Sequence, residues 1–353
     1  MNERRRYLVR RVAGEGDRAV PGIQRLTLML TESCNLDCWM CDFGKRNRRI
    51  KNLPLSVDAV LQLLDHPVFA ASLASLTCTG GEPFLFPEVE ELYTALQTRK
   101  PELKVHFSSN TTALGRMIRV FDTVRDWSKL GLFTSVDGIE MHDIQRGVAG
   151  AFQRTMENLD ALRTRYPALS IHVKYTITPM NYTEVARTFD YVHSRGYVIT
   201  AKMIENNPYY TNNLTHTIRA DDFSFTDEQI EVIRTQLRTV LANWPRPRDR
   251  RRAEVEEALA SLDPEWRRDV GCLTPQRHAF IDCDLNFFTC KEYGPVANLA
   301  QAGLDVLGDA EAYYEVLNHE RANTGHCTRC TSHLKMNDPS RPSRGDATTV
   351  SVR

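Results

Sequence analysis

The 353-residue sequence lacks the features that would direct a protein to a membrane or to nucleic acid. Its 45 lysine and arginine residues are balanced by 45 aspartate and glutamate residues, so the formal net charge is zero. A neutral chain has no general electrostatic attraction to nucleic acid or to an anionic membrane surface. No apolar run approaches the roughly 20 residues that a membrane-spanning helix needs. We therefore expect neither nucleic acid nor a membrane among its partners.

The N-terminal segment also lacks the apolar core of a secretory signal peptide, because arginine occupies positions 4–6 and 10–11. Nine cysteines are nevertheless present, and most of them lie in two groups. Without a secretion signal, clustered cysteines indicate a reducing compartment and metal ligation rather than disulfide bonds. The sequence therefore predicts a cytoplasmic protein with metal sites.

Short β-like segments alternate with helical patterns over the first 205 residues. The strands are predicted at 25–30, 73–79, 104–108, 133–136, 170–178 and 197–204. The helices are predicted at 57–64, 88–97, 117–124, 151–163 and 183–195. Strand–helix alternation at this rhythm indicates an α/β protein with a parallel sheet and helices outside it. Six units predict an open, partial (β/α)6 barrel of the TIM type rather than a closed eight-stranded one.

Five regions follow from this pattern. Residues 1–23 form an N-terminal extension, 24–205 the partial barrel, and 206–271 a helical connector that contains a capped helix starting near Thr226. Residues 272–337 form a small α+β domain that holds the second group of cysteines. Residues 338–353 are rich in Pro, Ser, Arg and Thr and are predicted to be a disordered tail.

The first group of cysteines follows the first predicted strand. Cys34, Cys38 and Cys41 have the spacing C-x3-C-x2-C, which supplies three thiolates from one loop. Most structural zinc sites use four ligands, whereas a [4Fe–4S] cluster held by three thiolates keeps one iron open to another ligand. Half of a zinc site or a plain cysteine-rich loop are the alternatives.

Two further motifs follow predicted strands. Gly80-Gly81-Glu82-Pro83 comes after the second strand, where two glycines permit a close backbone approach and a glutamate can pair with an ammonium group. A plain strand-to-helix turn is the alternative. Ser135-Val136-Asp137-Gly138, followed by Arg146-Gly147, comes after the fourth strand. The carboxyl ends of parallel barrel strands meet on one side, so these motifs are expected to lie together.

The three segments together resemble the radical S-adenosylmethionine (radical SAM) superfamily. The resemblance implies that Cys34, Cys38 and Cys41 hold a [4Fe–4S] cluster and that SAM occupies its open iron. Electron transfer from cluster to SAM then releases a 5′-deoxyadenosyl radical, while the protein positions and insulates the reactants.

The same resemblance assigns SAM contacts. Gly80, Gly81 and Glu82 correspond to a motif that holds the SAM amino group. Arg146 is expected to pair with the SAM carboxylate, which a guanidinium matches well. Asp137 belongs to the same Ser135–Gly147 motif as Arg146, or it is a structural turn former. The remaining expected contacts are Ser135 at the ribose or carboxylate, Asn110 at the ribose, and the backbone of Met40 at adenine.

The second group of cysteines consists of Cys272, Cys290, Cys327 and Cys330. Four thiolates could bind zinc. The order of hairpin, helix and C-x2-C instead resembles a Twitch domain, a shortened SPASM domain, which implies a second, auxiliary [4Fe–4S] cluster. The sequence departs from that pattern at Leu285, where relatives usually have glycine, so the hairpin turn could differ in shape.

Three residues are candidates for substrate chemistry. Lys202 and Glu205 lie at the end of the last predicted strand, where a substrate anchor or a proton acceptor would be placed. A surface ion pair is the plain alternative. Cys283, in the predicted hairpin, is either a small buried apolar residue or a hydrogen-atom donor to a substrate radical.

An auxiliary cluster with four thiolates has no open iron and suits electron transfer, which favours net oxidation. The resemblance to Twitch dehydrogenases of antibiotic biosynthesis implies oxidation of an alcohol on a sugar, aminocyclitol or nucleoside-type small molecule, with flavodoxin or ferredoxin as external reductant. An epimerase, a decarboxylase and a maturase of a ribosomal peptide are the alternatives. For the maturase, the short segment before the first strand leaves little room for a leader-binding domain. A non-catalytic iron–sulfur or zinc protein would require the SAM motifs to be coincidental.

Overall fold

In the part of the chain that the structure describes, nine strands form one sheet. They are β1 Arg25–Thr31, β2 Ser75–Gly80, β3 Lys104–Ser108, β4 Leu130–Ser135, β5 Ser170–Ile177, β6 Val198–Met203, β7 His278–Ile281, β8 Asn286–Phe288 and β9 Ala297–Asn298. Their order in the sheet is β6-β5-β4-β3-β2-β1-β7-β8-β9. The computed structural model describes residues 22–41, 43, 55–204, 223–245, 249–266, 274–291 and 294–308. Strands β1 to β6 run parallel to one another, each paired with the next in the chain.

Helices connect the parallel strands. They are α1 Val57–Asp65, α2 Pro67–Ala70, α3 Val89–Arg99, α4 Leu114–Phe121, α5 Met141–Arg146, α6 Ala151–Arg165, α7 Val185–Ser194, α8 Asp227–Ala242, α9 Arg250–Ala260, α10 Thr274–Arg277 and α11 Leu299–Ala302. Short 3-10 turns occur at Pro83–Leu85, Trp127–Lys129 and Leu304–Gly308. The expected alternation of strand and helix over the barrel region is confirmed, and the fourth helix begins three residues earlier than expected, at Leu114.

The two faces of the sheet differ because successive side chains of a strand point to opposite sides. We call the side that packs against the helices the outer face. It is apolar and fully buried, with Leu28, Cys78, Phe107 and Leu132 at its centre. We call the opposite side the inner face. Its residues, which the strand register places side by side, include Thr27, Thr77, His106, Gly131 and Ser170 in one row.

The connector helix α8 begins where the sequence predicted. The Thr226 hydroxyl accepts a hydrogen bond from the Gln229 backbone N–H (3.2 Å), and the Gln229 side chain accepts one from the Thr226 N–H (3.0 Å). This reciprocal pair satisfies two backbone donors that a helix start leaves open. Helix α9 then packs on the edge strand β6.

The C-terminal hairpin extends the barrel sheet. Strand β7 pairs in parallel with β1, and β8 pairs antiparallel with β7, as the predicted hairpin requires. Leu285 in its turn has φ 64°, the left-handed conformation that glycine favours. The turn therefore keeps a shape suited to glycine although leucine occupies it.

The α/β class and the partial, open barrel are confirmed, since among the described residues the sheet begins at β6 and ends at β9 without closing on itself. The domain boundaries stay predictions. The N-terminal extension up to residue 21, part of the connector, and residues 309–353, including the predicted tail, lie outside the described residues. In the part of the chain that the structure describes, no helix is long and apolar enough to span a bilayer.

Candidate active site

The cysteine loop follows β1 and lies at the carboxyl end of the sheet. Cys38 is buried, whereas Cys34 and Cys41 are half-buried. Cys34 and Cys41 pack against an apolar cluster formed by Met29, Phe43, Phe280, Cys283 and Phe288. Two members of that cluster, Met29 and Phe280, belong to the inner face, so the loop sits over the inner face beside β1 and β7. Cys34 and Cys41 therefore lie against apolar side chains at the strand ends.

The glycine pair approaches the cysteine loop very closely. The Gly81 N–H donates to the Thr31 carbonyl (2.7 Å), and the Glu82 N–H donates to the Ser33 carbonyl (2.8 Å). Gly80 has φ 144°, and a Cβ at either glycine would collide with backbone oxygens of the loop. The two glycines thus permit a close approach to the backbone just before Cys34. This contact fixes the position at which the cysteine loop begins.

The Glu82 carboxylate is fully buried. It accepts hydrogen bonds from the Ser109 hydroxyl (2.8 Å), the Asn110 N–H (2.8 Å) and the Phe84 N–H (3.2 Å). Burial raises its pKa to about 7, while these hydrogen bonds act in the opposite direction. Glu82 therefore joins the end of β2 to the loop after β3. Its expected pairing with the SAM amino group stays a prediction.

Asn110 connects that network to the first cysteine. Its Nδ2 lies 3.8 Å from the Cys34 Sγ and donates to the Asn35 side chain (2.9 Å). The Leu36 N–H also points at the Cys34 Sγ, at 3.5 Å. Hydrogen bonds to cysteine sulfur are one means by which a protein sets the potential of an iron–sulfur cluster. Asn110 thus touches the cysteine loop itself, in addition to its expected contact with ribose.

The end of α5 holds the loop between the cysteines. The Asp37 N–H donates to the Arg146 carbonyl (3.0 Å), and the Trp39 N–H donates to the Gln145 carbonyl (3.2 Å). The Trp39 indole donates to the Gln145 side chain (2.7 Å). Gly147 ends the helix in the left-handed conformation (φ 65°), and a Cβ there would collide with the Asp37 carbonyl. Gln145, Arg146 and Gly147 therefore contact the backbone on both sides of Cys38 and hold it in place.

Arg146 forms a buried ion pair with Asp137, and its NH1 lies 3.7 Å from the Cys38 Sγ. Asp137 is fully buried and also accepts a hydrogen bond from the Thr176 N–H (2.8 Å). The Arg146 Nε is buried and has no hydrogen-bond partner in the described structure. A buried donor without a partner is costly, so this atom is suited to a partner that the described residues do not supply.

Asp137 is more than a turn residue. Its backbone N–H donates to the His142 Nδ1 (3.0 Å), and the Asn181 side chain donates to its carbonyl (3.0 Å). Glu184 accepts backbone N–H bonds from the residues that open α5, starting with Ile139 at 2.9 Å. Sequence reasoning missed Gln145, Asn181 and Glu184, because each acts through a distant segment and none belongs to a recognisable spacing.

The other candidate residues are distributed as follows. Ser135 ends β4 on the inner face, opposite Lys174 of β5. Met40 is half-buried in the turn before Cys41, and Lys202 is exposed on β6. Cys290 is buried, as is Cys283, whose thiol pKa is raised by burial. Glu205, Cys272, Cys327 and Cys330 lie outside the described residues.

The cysteine loop fits a [4Fe–4S] cluster. Burial raises the thiol pKa of Cys34 to about 11 and that of Cys41 to about 12, so without a metal these thiols are neutral. A coordinated metal deprotonates such thiols outright. Among the described residues, no three His, Cys, Asp or Glu side chains converge on a single ion. A cluster does not require such convergence, because each thiolate binds a different iron.

Comparison with known proteins agrees with this geometry. Residues 28–192 match the model of the radical SAM superfamily. Over 172 residues the chain is 30% identical to an AdoMet-dependent heme synthase of Methanosarcina barkeri, which covers 48% of this chain and 47% of that protein. The chain thus spans about half the length of that relative. Over 274 residues it is 25% identical to a GTP 3′,8-cyclase of Stenotrophomonas maltophilia, covering 72% of this chain and 73% of the cyclase.

A solved structure shares the fold. SuiB of Streptococcus suis, bound to its precursor peptide SuiA, superimposes with a TM-score of 0.59 at 12% identity and covers 87% of this chain and 69% of SuiB. Such low identity supports the architecture alone. The matched region begins within β1, contains the cysteine loop, the Gly80–Gly81 turn and the Asp137–Arg146 pair, and ends within α7. Residues 28–192, which contain these motifs, thus match a radical SAM domain.

Proposed function

We propose that this protein binds a [4Fe–4S] cluster through Cys34, Cys38 and Cys41 and uses SAM to oxidise an alcohol of a sugar, aminocyclitol or nucleoside-type small molecule. The observation that supports cluster binding is the position of the cysteine loop. Backbone hydrogen bonds hold this loop to the Gly80–Gly81 turn on one side and to the end of α5 on the other. When cluster and SAM are bound, the chemistry of this superfamily supplies a 5′-deoxyadenosyl radical that can abstract hydrogen.

The residues around the loop have distinct proposed roles. The apolar cluster that includes Met29, Phe43 and Phe280 excludes water from the cysteines, which protects a reactive intermediate from side reactions. Arg146 remains the proposed partner of the SAM carboxylate, because its buried Nε is a donor without a partner in the described structure. Asp137 fixes the guanidinium in place from the other side.

The oxidation itself requires an electron acceptor. We assign that role to an auxiliary [4Fe–4S] cluster held by Cys272, Cys290, Cys327 and Cys330, of which the buried Cys290 lies in the described residues. A proton acceptor at Lys202 or Glu205 would complete the removal of two electrons and two protons from the carbinol. An external flavodoxin or ferredoxin would reduce the first cluster.

Iron content and SAM cleavage test the proposal. Anaerobically reconstituted protein should bind about eight irons, as two cubanes. Replacing Cys34, Cys38 and Cys41 with alanine should leave about four irons and abolish 5′-deoxyadenosine formation. Replacing Cys290, Cys327 and Cys330 should also leave about four irons but spare SAM cleavage. Cys78→Ala, in the outer-face core, is the matched control and should keep both clusters. A triple loop variant that still cleaves SAM would overturn the assignment.

Arg146 has its own test. Arg146→Ala should weaken SAM binding, measured by titration of the reconstituted protein, but it also leaves the buried Asp137 carboxylate without its partner. Arg146→Lys keeps a positive charge beside Asp137 and should therefore lose SAM affinity with a smaller loss of stability. Unchanged SAM affinity would show that Arg146 serves Asp137 and Cys38 alone.

One observation favours an epimerase as second candidate. Cys283 belongs to the buried apolar cluster against which Cys34 and Cys41 pack, and burial keeps its thiol protonated. A neutral S–H group is the form that can give a hydrogen atom to a substrate radical. An epimerase would yield a product of unchanged mass in H2O that carries one deuterium when made in D2O, and it would require Cys283. A dehydrogenase would yield a product lighter by two hydrogens.

A further inference from the structure

The basic residues of the sheet all lie on one face. Strands β1 to β7, as the structure describes them, contain four lysine or arginine residues, three histidines and no aspartate or glutamate. The lysine and arginine residues are Arg25, Lys104, Lys174 and Lys202, and the histidines are His106, His172 and His278. The strand register places all seven on the inner face, opposite the apolar face that packs against the helices.

The centre of this surface is Phe133 on β4. The Lys174 Nζ lies 4.3 Å from the centroid of its ring. The ring of His106 stacks on it at 5.1 Å, and the ring of His172 meets it edge-on at 5.7 Å. The glycine at position 131 leaves room for His106, since a Cβ there would collide with the His106 ring. We call Phe133, Lys174, His106 and His172 the basic platform.

Positive charge is concentrated there. Burial, together with repulsion of the protonated form by nearby Arg25, Lys104 and Lys174, lowers the pKa of His106 to about 4. Three acidic residues near the strand ends contact groups outside the basic platform. Asp137 pairs with Arg146, Glu82 accepts bonds from Ser109 and Asn110, and Asp282 accepts bonds from the hairpin. The charged side chains that strands β1 to β7 contribute to the inner face, as the structure describes them, are all basic.

We propose that the basic platform binds an anionic group of the substrate, a carboxylate or a phosphate. It lies on the same face of the sheet as the apolar cluster that shields Cys34 and Cys41, and Ser135 at the strand end adjoins Lys174. The inference rests on the proposed function for the statement that the ligand is the substrate of the radical reaction. It narrows that proposal: a sugar acid, a sugar phosphate or a nucleotide fits, whereas the ammonium groups of an unmodified aminocyclitol would be repelled.

Calorimetric titration of the reconstituted holoenzyme with SAM tests this site. The probes are pyrophosphate for phosphate, citrate for carboxylate, and myo-inositol as a neutral molecule. At least one anion should bind, myo-inositol should not, and binding should weaken as salt is added. Pyrophosphate binding alone would identify phosphate as the recognised group, and citrate binding alone would identify carboxylate.

Variants locate the site. Lys174→Gln should weaken binding of the anion about tenfold, which corresponds to about 1.4 kcal/mol, while Lys174→Arg should retain most of the affinity. Lys129→Gln is the matched control, because Lys129 lies outside the strands, in the turn before β4, and pairs with Glu102. Circular dichroism checks that each variant is folded. If neither anion binds, or if Lys174→Gln binds as tightly as the parent protein, the platform is not an anion site.

The two proposals can fail separately. If the parent protein cleaves SAM but binds no anion, the basic platform is refuted and the radical SAM function stands. If anions bind in a Lys174-dependent manner but no 5′-deoxyadenosine forms, the anion site stands and the proposed function is refuted.

Discussion

The two faces of the same sheet have opposite compositions. On the outer face, residues such as Leu28, Cys78 and Phe107 are fully buried and pack against helices. On the inner face, the neighbouring residues are threonines, histidines and lysines, many of them partly exposed. Because side chains alternate along a strand, one run of residues serves both purposes. The comparison indicates that the outer face supplies most of the buried apolar core, and the proposed ligand recognition belongs to the inner face.

The largest expected effect comes from a pair of phenylalanines. Phe107, on the outer face, is 1% exposed and its ring lies 4.6 Å from that of Phe84. Phe107→Ala should lower the free energy of unfolding by about 3–5 kcal/mol, since it leaves a cavity. Phe133→Ala, on the half-buried inner face, should cost only about 1–2 kcal/mol. Urea unfolding of both variants measures the difference. Equal losses would contradict the division between the two faces.

Glu82, at the carboxyl ends of the strands, provides a pH-dependent test. Its pKa is raised from 4.5 to about 7, mainly by burial. Between these values the folded state binds the proton more tightly than the unfolded state does. This group therefore supports the fold fully below pH 4.5, and its contribution is lost as the pH rises toward 7, by at most about 1.4 kcal/mol per pH unit.

Glu82→Gln removes that titration. Between pH 5 and pH 7, the free energy of unfolding of the parent apoprotein should fall more than that of the Glu82→Gln apoprotein. Anaerobic urea unfolding at several pH values gives both curves. Parallel curves would mean that Glu82 ionises as readily in the folded chain as in the unfolded one.

A third test concerns the contact between Gly147 and the cysteine loop. Gly147→Ala places a Cβ against the Asp37 carbonyl and requires a left-handed alanine, which costs about 1–2 kcal/mol before any displacement of the loop. The variant should lose stability and bind less iron on reconstitution. Gly115→Ala is the control: nothing lies within 4 Å of the new Cβ in helix α4, and alanine favours helix by up to about 1 kcal/mol. Full iron content in Gly147→Ala would show that the loop is held by other contacts.

Sequence patterns predicted the fold well because strand–helix alternation is local. The capped start of α8 at Thr226 was predictable for the same reason. Sequence patterns did not reveal that β7 pairs with β1. The paired residues, such as Arg25 and His278, are about 250 positions apart, and no local pattern links them. The sequence did single out Leu285 as standing in a glycine position, but not its positive φ, which leucine rarely adopts.

The site was predictable in its residue types but not in its contacts. Spacing identified the cysteine loop and the two glycine motifs. It did not show that Gly81 and Gly147 approach the loop backbone, or that Arg146 reaches Cys38 and Asp137. Those contacts depend on how separate strand ends are brought together, and the roles of the SAM-contacting residues remain predictions.

The smallest expected effect compares two consecutive residues of β2. Cys78 points into the outer-face core and is fully buried, whereas Thr77 points to the inner face and is half-buried. Cys78→Ser places a hydroxyl in an apolar environment and should cost about 1–3 kcal/mol. Thr77→Val keeps the shape of the side chain on a partly exposed surface and should change stability by less than about 0.5 kcal/mol. Thermal unfolding of the two variants under the same conditions measures both. A larger loss for Thr77→Val than for Cys78→Ser would mean that the inner face, too, is part of the stabilising core, and that its polar residues are held by contacts within the protein rather than kept for a ligand.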